Sequence, residues 1–529
     1  MLAVQGFVNT PEGLYLFQGP PGTGKTTTIV SMLESLVATD QRILVCAPSN
    51  KAVQILAERT LALMPDQPII LVGVEAKILP HLQEIAFDNW VNRYRNKLFT
   101  VLAEFELDPL TFAKKITTRP AELIKWSKTL ENKIEEANRL LNICLRYAPE
   151  DFDKTAFMAE TNQAFADYVG ILKPIVLEAQ QAAFPSLKKA MAKKSGAAAS
   201  GIDSDAIFAI LVEQHRILAR NIKTVYDLFR QPEVILASAK VVFCTLSTAG
   251  RPSLKNFCAR HRPFDALIVD EAGQSVEAET LIPFDIAINA RKALLVGDTR
   301  QLPATTICPQ SKETHFEWSM MWRLLEENKQ PFHGLTVQYR MRHAIQHFPS
   351  GRYYEGRLLG HESIVNRPCY AQRFVPREGY HLWVDSRGRE ERSQKSYCNR
   401  EEAASIVRMV SAIREHDITS HIGIISFYNG QVQLLKKMFG HEEKSNPKMG
   451  KNIMISSVDG FQGDEKDIII LSFVRSNPVG EVGFLWDFRR LNVAITRAKD
   501  ALILCGSMQT FRSALGSELK ELLDFCHQT

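Results

Sequence analysis

Paired cysteines are missing from this 529-residue chain: Cys46, Cys144, Cys244, Cys258, Cys308, Cys369, Cys398, Cys505 and Cys526 include no C-x-x-C pair. That scatter argues against a zinc ribbon or a disulfide framework and fits a reducing compartment. Long apolar runs are also missing, since none approaches the roughly 20 residues of a membrane span. The opening residues Met1, Leu2, Ala3, Val4, Gln5 and Gly6 lack the basic segment and apolar core of a secretory signal. The expectation is a soluble intracellular protein with no membrane partner, cytoplasmic or, in a eukaryote, nuclear. A large excess of one charge sign is missing as well. A formal balance of +5 excludes a generally basic coat, so any nucleic-acid binding must sit in a local groove. No internal repeat occurs, and 45% apolar with 23% charged residues excludes a disordered or fibrous chain.

What is present is an alternation of short apolar runs with helical patterns. Ile43 to Cys46, Val241 to Cys244, Ala266 to Val269 and Ala293 to Val296 form one series. Ile422 to Ile425, Ile453 to Ile455, Ile468 to Leu471 and Leu502 to Cys505 form a second. Continuous apolar strands of this kind belong to parallel sheets covered on both faces. The fold class expected is therefore α/β, with two parallel-sheet domains in tandem. Between about Pro80 and Pro232 the strand signal stops and helical spacing takes over, as in Leu130, Ile134, Ala137, Leu141 and in Ile207, Ile210, Leu211, Leu218. The boundaries expected are 1–79 plus 233–332 for the first domain, 80–232 for a helical insertion, and 333–529 for the second domain. Within the insertion, Lys188, Lys189, Lys193 and Lys194 precede a Ser/Gly/Ala-rich link at 195–201, and a solvated helix end is favoured there over a nucleic-acid contact.

The chemistry begins with Gly19, Pro20, Pro21, Gly22, Thr23, Gly24, Lys25 and Thr26, which fit G-x-x-x-x-G-K-[ST] between the apolar run Leu14, Tyr15, Leu16, Phe17 and a helical pattern starting at Thr27. Glycines there let backbone N–H groups turn inward on a triphosphate at a helix N-terminus. Lys25 would neutralise the β and γ oxygens, and Thr26 would offer its hydroxyl to Mg²⁺. Asp270 and Glu271 end the Ala266 to Val269 run, where a second metal ligand and a water-activating acid belong. Gln301, in Gly297-Asp298-Thr299-Arg300-Gln301, is a candidate sensor of the γ-phosphate. The ligands implied are a nucleoside triphosphate and Mg²⁺.

Three later segments complete a pattern: Val337-Gln338-Tyr339-Arg340-Met341, then Ser457-Val458-Asp459-Gly460-Phe461-Gln462-Gly463-Asp464-Glu465, then Arg490-Leu491-Asn492-Val493-Ala494-Ile495-Thr496-Arg497-Ala498-Lys499. In this order they resemble the superfamily 1B helicases, in particular the RNA-surveillance branch of the nonsense-mediated-decay helicase and senataxin type. The resemblance implies two RecA-like domains of the P-loop NTPase class, with the helical insertion in the first. It implies that Tyr339 stacks on adenine, that Arg340 and Arg497 reach the γ-phosphate, and that Glu465 contacts the ribose, with Thr27 and Gly463 also at the nucleotide. Arg342, Arg489 and Arg490 are open between similar roles and structural ion pairs. By the same resemblance Pro48, Ser49, Asn50, Thr245 and Ser457 lie along a nucleic-acid track, although such residues at strand ends also serve as helix caps.

The activity implied is ATP-driven 5′→3′ movement on single-stranded nucleic acid, RNA favoured over DNA, by a monomer with protein partners engaged through the helical insertion. The alternative is an ATP-gated clamp or remodelling factor without productive unwinding. A helicase-nuclease fragment shares these motifs, but no nuclease acid cluster or four-cysteine iron–sulfur pattern accompanies them. Family members carry a glutamine-containing adenine-reading segment and a β-barrel upstream; Ala3 and Val4 align just after that segment, so both are expected to be absent. His343 and His347 share a helix face without the acid of H-E-x-x-H, which argues against metal binding. Arg387 to Arg392 reads as an exposed loop, and Asn399 as the N-cap of a helix.

Overall fold

The computed structural model describes residues 2–9, 12–90, 96–97, 100, 132, 135–148, 152–183, 204–229, 233–261, 263–308, 310–368, 381–393, 395–417, 419–448, 450–514 and 518–528. Along the chain the strands are β1 (Gly13–Gln18), β2 (Ile43–Ala47), β3 (Ile69–Val72), β4 (Val241–Thr245), β5 (Ala266–Val269), β6 (Lys292–Gly297), β7 (His333–Gly334) and β8 (Val337–Gln338). They continue as β9 (Leu359–Gly360), β10 (His381–Asp385), β11 (Glu391–Ser393), β12 (Ser396–Cys398), β13 (Ile422–Ser426), β14 (Ile453–Ser457), β15 (Lys466–Ser472) and β16 (Ala498–Gly506). Two compact units form, one of Met1–Met32, Leu267–Phe284 and Arg291–Thr529, the other of Leu33–Ala266 and Asp285–Ala290.

In the second of these units β2 and β3 flank β4, all parallel, and every residue of the three strands but Thr245 is apolar and all are buried. Only a sheet packed on both faces has room for such unbroken apolar strands. β3, a four-residue run between Pro68 and Gly73, is not among the strands expected from the sequence. Long helices Lys154–Ala183 and Ser204–Leu228 pack together, joined by Arg220 to Glu160 at 2.6 Å and by Asn221 Nδ2 donating to Thr161 Oγ1 at 3.1 Å. Tyr147 ties this helical region to the sheet, its hydroxyl donating to the Ile69 carbonyl at 2.8 Å. Trp90 packs against both Tyr147 and Phe229. Ala137, Leu141 and Leu218 are buried as the helical spacing requires; Leu130, Ile134, the lysine cluster and the 195–201 link lie outside the described residues.

In the first unit β6, β1 and β7 run parallel in that order, with Gly13 opposite Lys292 through Gln18 opposite Gly297. A five-stranded parallel sheet follows in the order β10-β16-β15-β13-β14. Its two faces are both buried: Ile469, Leu471, Leu502 and Leu504 join one apolar cluster, while Ile468, Ile470, Ala501 and Ile503 join another on the opposite side. The period of two along each strand sets that partition. Both parallel α/β sheets expected from the sequence are thus present. Among the described residues no helix is long and apolar enough to cross a membrane.

The helix Arg400–His416 starts as expected on Asn399, whose Oδ1 accepts from Glu402 N at 3.0 Å. Glu402 itself is buried, accepting from Ser472 Oγ at 2.5 Å and from Val474 N at 3.1 Å. Burial pushes its carboxyl from 4.5 up to about 8, against the pull of those hydrogen bonds. A carboxyl held protonated only in the folded state stabilises the fold at low pH, and that contribution fades as pH rises from about 4.5 to 8. Glu402→Gln is therefore expected to flatten the stability loss across this window, as read from urea midpoints at pH 5.5 and 8; equal losses in both proteins would count against a protonated Glu402.

The stretch 387–392 departs from a plain exposed loop. Glu391–Ser393 pairs antiparallel with Ser396–Cys398, and Glu390 binds the buried Arg475 at 2.9 Å, with that guanidinium over the Tyr397 ring. A charge run hides such pairing because the partner lies 85 residues away. His347 stacks on Phe525, with ring planes 9° apart.

Candidate active site

The phosphate loop crosses from β1 into the helix Lys25–Ala38. Gly19 N donates to the Gly297 carbonyl at 2.8 Å, anchoring the loop to the end of β6. Gly22 has φ 73°, and a Cβ there would lie 2.7 Å from Arg340 Cβ, so only glycine fits both the left-handed turn and the close approach. Thr23 is buried and its hydroxyl donates to the Pro20 carbonyl at 2.8 Å. The Lys25 ammonium donates back to the Gly19 carbonyl at 2.7 Å, lying across the loop it would share with a phosphate. Thr26 is half-buried beside it, and Thr27 is exposed.

Asp270 is buried directly after β5 and accepts from the Glu271 N–H at 2.9 Å. Burial, then the neighbouring Glu271 charge, pushes its carboxyl up to about 7, while Lys25 and the Glu271 N–H pull the other way. Glu271 has φ 52°, a left-handed conformation that costs a non-glycine residue of order 1–3 kcal/mol. Its carboxylate accepts from Gln274 Nε2 at 2.6 Å, which holds the strained acid in one orientation. Gln301 is 5% exposed; its Nε2 donates to Asp298 Oδ2 at 2.6 Å and its Oε1 accepts from Arg497 Nη2 at 3.3 Å.

The later segments reach the same place. Tyr339 N donates to the Gly22 carbonyl at 2.8 Å, so β8 leads directly onto the phosphate loop. The Tyr339 ring is exposed, lying 4.5 Å from the His361 ring, and leaves a face open for stacking. Arg340 binds Glu465 at 2.5 Å and donates through Nη1 to the Thr496 carbonyl at 3.0 Å. Lys499 binds the other Glu465 oxygen at 3.1 Å. Burial alone would raise the Glu465 carboxyl, but Arg340 and Lys499 outweigh it and hold it at about 2. Arg497 is buried; desolvation first and then the Arg340 charge push its guanidinium down to about 9, which leaves it cationic at neutral pH. Gly463 has φ 81° at the turn before Glu465.

Lys25, Asp270, Glu271, Gln301, Arg340 and Arg497 all belong to one compact unit. The other arginines are paired: Arg342 is buried on Asp500 at 2.9 Å, Arg489 binds Asp487 at 3.0 Å, and Arg490 binds Asp459 at 3.6 Å. The strand-end hydroxyls have local partners. Ser49 Oγ accepts from Ala52 N at 3.2 Å and Thr245 Oγ1 from Thr248 N at 3.2 Å, each a helix cap. Ser457 Oγ accepts from Gly460 N at 3.2 Å, while Asn50 is exposed and Pro48 half-buried.

Four side chains at the site carry no sequence signal of their own. Gln18 Nε2 donates to Asp298 Oδ1 at 2.7 Å, Tyr354 OH donates to Asp298 Oδ2 at 2.7 Å, and Asn492 Nδ2 donates to Tyr354 OH at 2.7 Å. Asp298 and Asn492 stood inside recognised segments; only their convergence, from positions 56 to 280 residues apart, gives them a function.

A phosphate loop after a parallel strand, acids directly after another strand of the same unit and a Gln301 to Arg497 bond define a P-loop nucleotide-binding protein. One family model described as an AAA domain matches residues 1–309, and a second of the same description matches residues 316–509. The helicase sen1 of Schizosaccharomyces pombe is 30% identical over 535 residues, covering 95% of this chain and 28% of that protein. The probable helicase senataxin of Mus musculus is 30% identical, over 94% of this chain and 18% of its own. The DNA polymerase alpha-associated DNA helicase A of Saccharomyces cerevisiae is 28% identical, over 97% of this chain and 65% of its own. This chain spans less than two thirds of the length of each. It belongs to the AAA-domain family and, within it, to the superfamily 1B helicases of the RNA-surveillance branch.

Proposed function

We propose that the chain is an ATP-dependent motor that moves 5′→3′ on single-stranded nucleic acid, RNA in preference to DNA, and separates duplexes. The observation that carries this reading is the meeting of Gln301 and Arg497 beside the phosphate loop, with Arg340 held next to them. Lys25 and the loop N–H groups bind the β and γ phosphates, Tyr339 stacks on the base, and Glu465 faces the ribose. Gly19, Pro20, Pro21, Gly22, Thr23, Gly24, Thr26, Thr27 and Gly463 complete the nucleotide site. Glu271 orients and deprotonates the attacking water, Gln301 senses the γ-phosphate, and Arg340 and Arg497 neutralise charge on the phosphoryl group as it transfers.

Mg²⁺ fits the donors present. Thr26 and Asp270 offer hard oxygens, and Asp270 sits buried beside a second carboxylate, where a divalent cation relieves the repulsion. When bound, it supplies charge neutralisation at the β and γ oxygens.

Pro48, Ser49, Asn50, Thr245 and Ser457 are proposed to contact the nucleic acid through its phosphates, in addition to their capping bonds. The division proposed is 1–79 plus 233–332 and 333–529, with 80–232 inserted; two successive family matches, 1–309 and 316–509, favour a chain of two parts. We take the protein to act as a monomer inside the cell, with protein partners on the insertion. The test is steady-state ATP hydrolysis with and without single-stranded RNA or DNA of one sequence. Stimulation by RNA above DNA is expected, with Lys25→Ala lowering turnover by about a hundredfold or more. No stimulation, with Lys25→Ala equal to the wild type, would sink the reading.

A further inference from the structure

Asp298 follows β6 and takes four hydrogen bonds. Its Oδ1 accepts from Gln18 Nε2 at 2.7 Å and from Arg300 N at 3.0 Å; its Oδ2 accepts from Gln301 Nε2 at 2.6 Å and from Tyr354 OH at 2.7 Å. Tyr354 comes at the end of the helix His343–Tyr353, with its ring among Met341, Leu485 and other members of the apolar core. Its hydroxyl, having donated to Asp298, accepts from Asn492 Nδ2 at 2.7 Å. Asn492 also donates to the Arg300 carbonyl at 2.8 Å, and it sits on the helix Phe488–Ile495, which leads straight into Arg497. Arg497 closes the circuit: its Nε donates to the Val493 carbonyl at 2.9 Å and its Nη2 to Gln301 Oε1 at 3.3 Å.

The result is a ring running Asp298, Gln301, Arg497, the helix of Asn492, Tyr354 and back to Asp298. It determines which way the Gln301 amide points. With its NH₂ on a carboxylate and its oxygen on a guanidinium, the amide has one satisfied orientation; turned over, it sets like against like at both ends. The orientation depends on a buried carboxylate staying charged and still. Burial pushes the Asp298 carboxyl up, and Lys25, Gln301, Tyr354 and the Arg300 N–H act against that rise.

We propose that Tyr354 is a positioning residue for phosphoryl transfer: its hydroxyl fixes Asp298 between Asn492 and Gln301, and so keeps the Gln301 oxygen turned to Arg497. This rests on the motor reading above. Neither the phosphate nor the water touches Tyr354; it acts through Gln301. Removing the hydroxyl alone leaves the packed ring in place, takes from Asp298 Oδ2 its one partner besides Gln301 among the described residues, and so loosens the oxygen that orients the Gln301 amide.

The test is a double-mutant cycle on RNA-stimulated ATP hydrolysis with Tyr354→Phe, Gln301→Ala and the pair, each checked for cooperative thermal unfolding. Tyr354→Phe is expected to lower kcat about tenfold with KM for ATP within about twofold, and to add nothing in the Gln301→Ala background. Asn492→Ala opens the ring from its other side and is likewise expected to be silent once Gln301 is gone. Multiplicative losses, a kcat unchanged in Tyr354→Phe, or a loss seen in KM instead would overturn the proposal. Hydrolysis by the wild type with such losses overturns this inference alone; a wild type that does not hydrolyse ATP overturns the motor reading with it.

Discussion

Arg497→Ala is expected to bind ATP within about threefold of the wild type while losing about a thousandfold or more of its turnover. Arg497 is buried, and its bonds run to the Val493 carbonyl, to Gln301 Oε1 and to Thr496 Oγ1. None of these bonds touches the phosphate loop, where Lys25 and the backbone donors are proposed to supply ground-state affinity. A guanidinium so placed contributes when charge develops on the transferring group, and its planar fork lets it bond Gln301 and a phosphate oxygen together. Arg497→Lys keeps the charge without the fork and is expected to recover little of the turnover. Fluorescent-nucleotide titration beside a hydrolysis assay reads both quantities. Equal losses of binding and turnover would make Arg497 a ground-state ligand.

Glu271→Gln is expected to lower turnover by about two to four orders of magnitude without weakening ATP binding. Two features single out this acid. Its backbone is left-handed while its carboxylate is bonded to Gln274, and its charge is one of the causes that raise the Asp270 carboxyl. Neutralising it removes the proposed water-activating base and also relieves Asp270 of a like charge, so thermal stability should stay level or rise. Activity and stability then move in opposite directions. A variant that loses both would indicate a structural acid.

These two residues also mark what the sequence discloses. Lys25, Asp270 and Glu271 are legible because strand, loop and helix succeed one another within a few residues, and the chemistry needs that local order. Both sheets were legible because their strands are apolar on both faces. β3 is no shorter than β5 but lies between Pro68 and Gly73, just ahead of the stretch where helical spacing takes over, and the Glu390 to Arg475 pair was hidden because a charge run looks solvated until its partner is placed. The ring through Asp298 lay beyond reach for the same reason. Gln18 and Asp298 are 280 residues apart, and a lone tyrosine ending a helix signals only a packed aromatic. Family resemblance brought Arg340 and Arg497 to the nucleotide, but the Arg340 to Glu465 pairing and the Gln301 to Arg497 bond came from the fold.

Directional strand displacement tests the central claim most directly. A labelled RNA strand is annealed to leave a single-stranded overhang at the 5′ or the 3′ side of the loading strand, and its release is followed after ATP addition. Release from the 5′-overhang substrate, abolished by Arg497→Ala, is the expected result. ATP hydrolysis stimulated by RNA with release from neither substrate would contradict a motor and describe a clamp, and release from the 3′ overhang alone would reverse the proposed polarity.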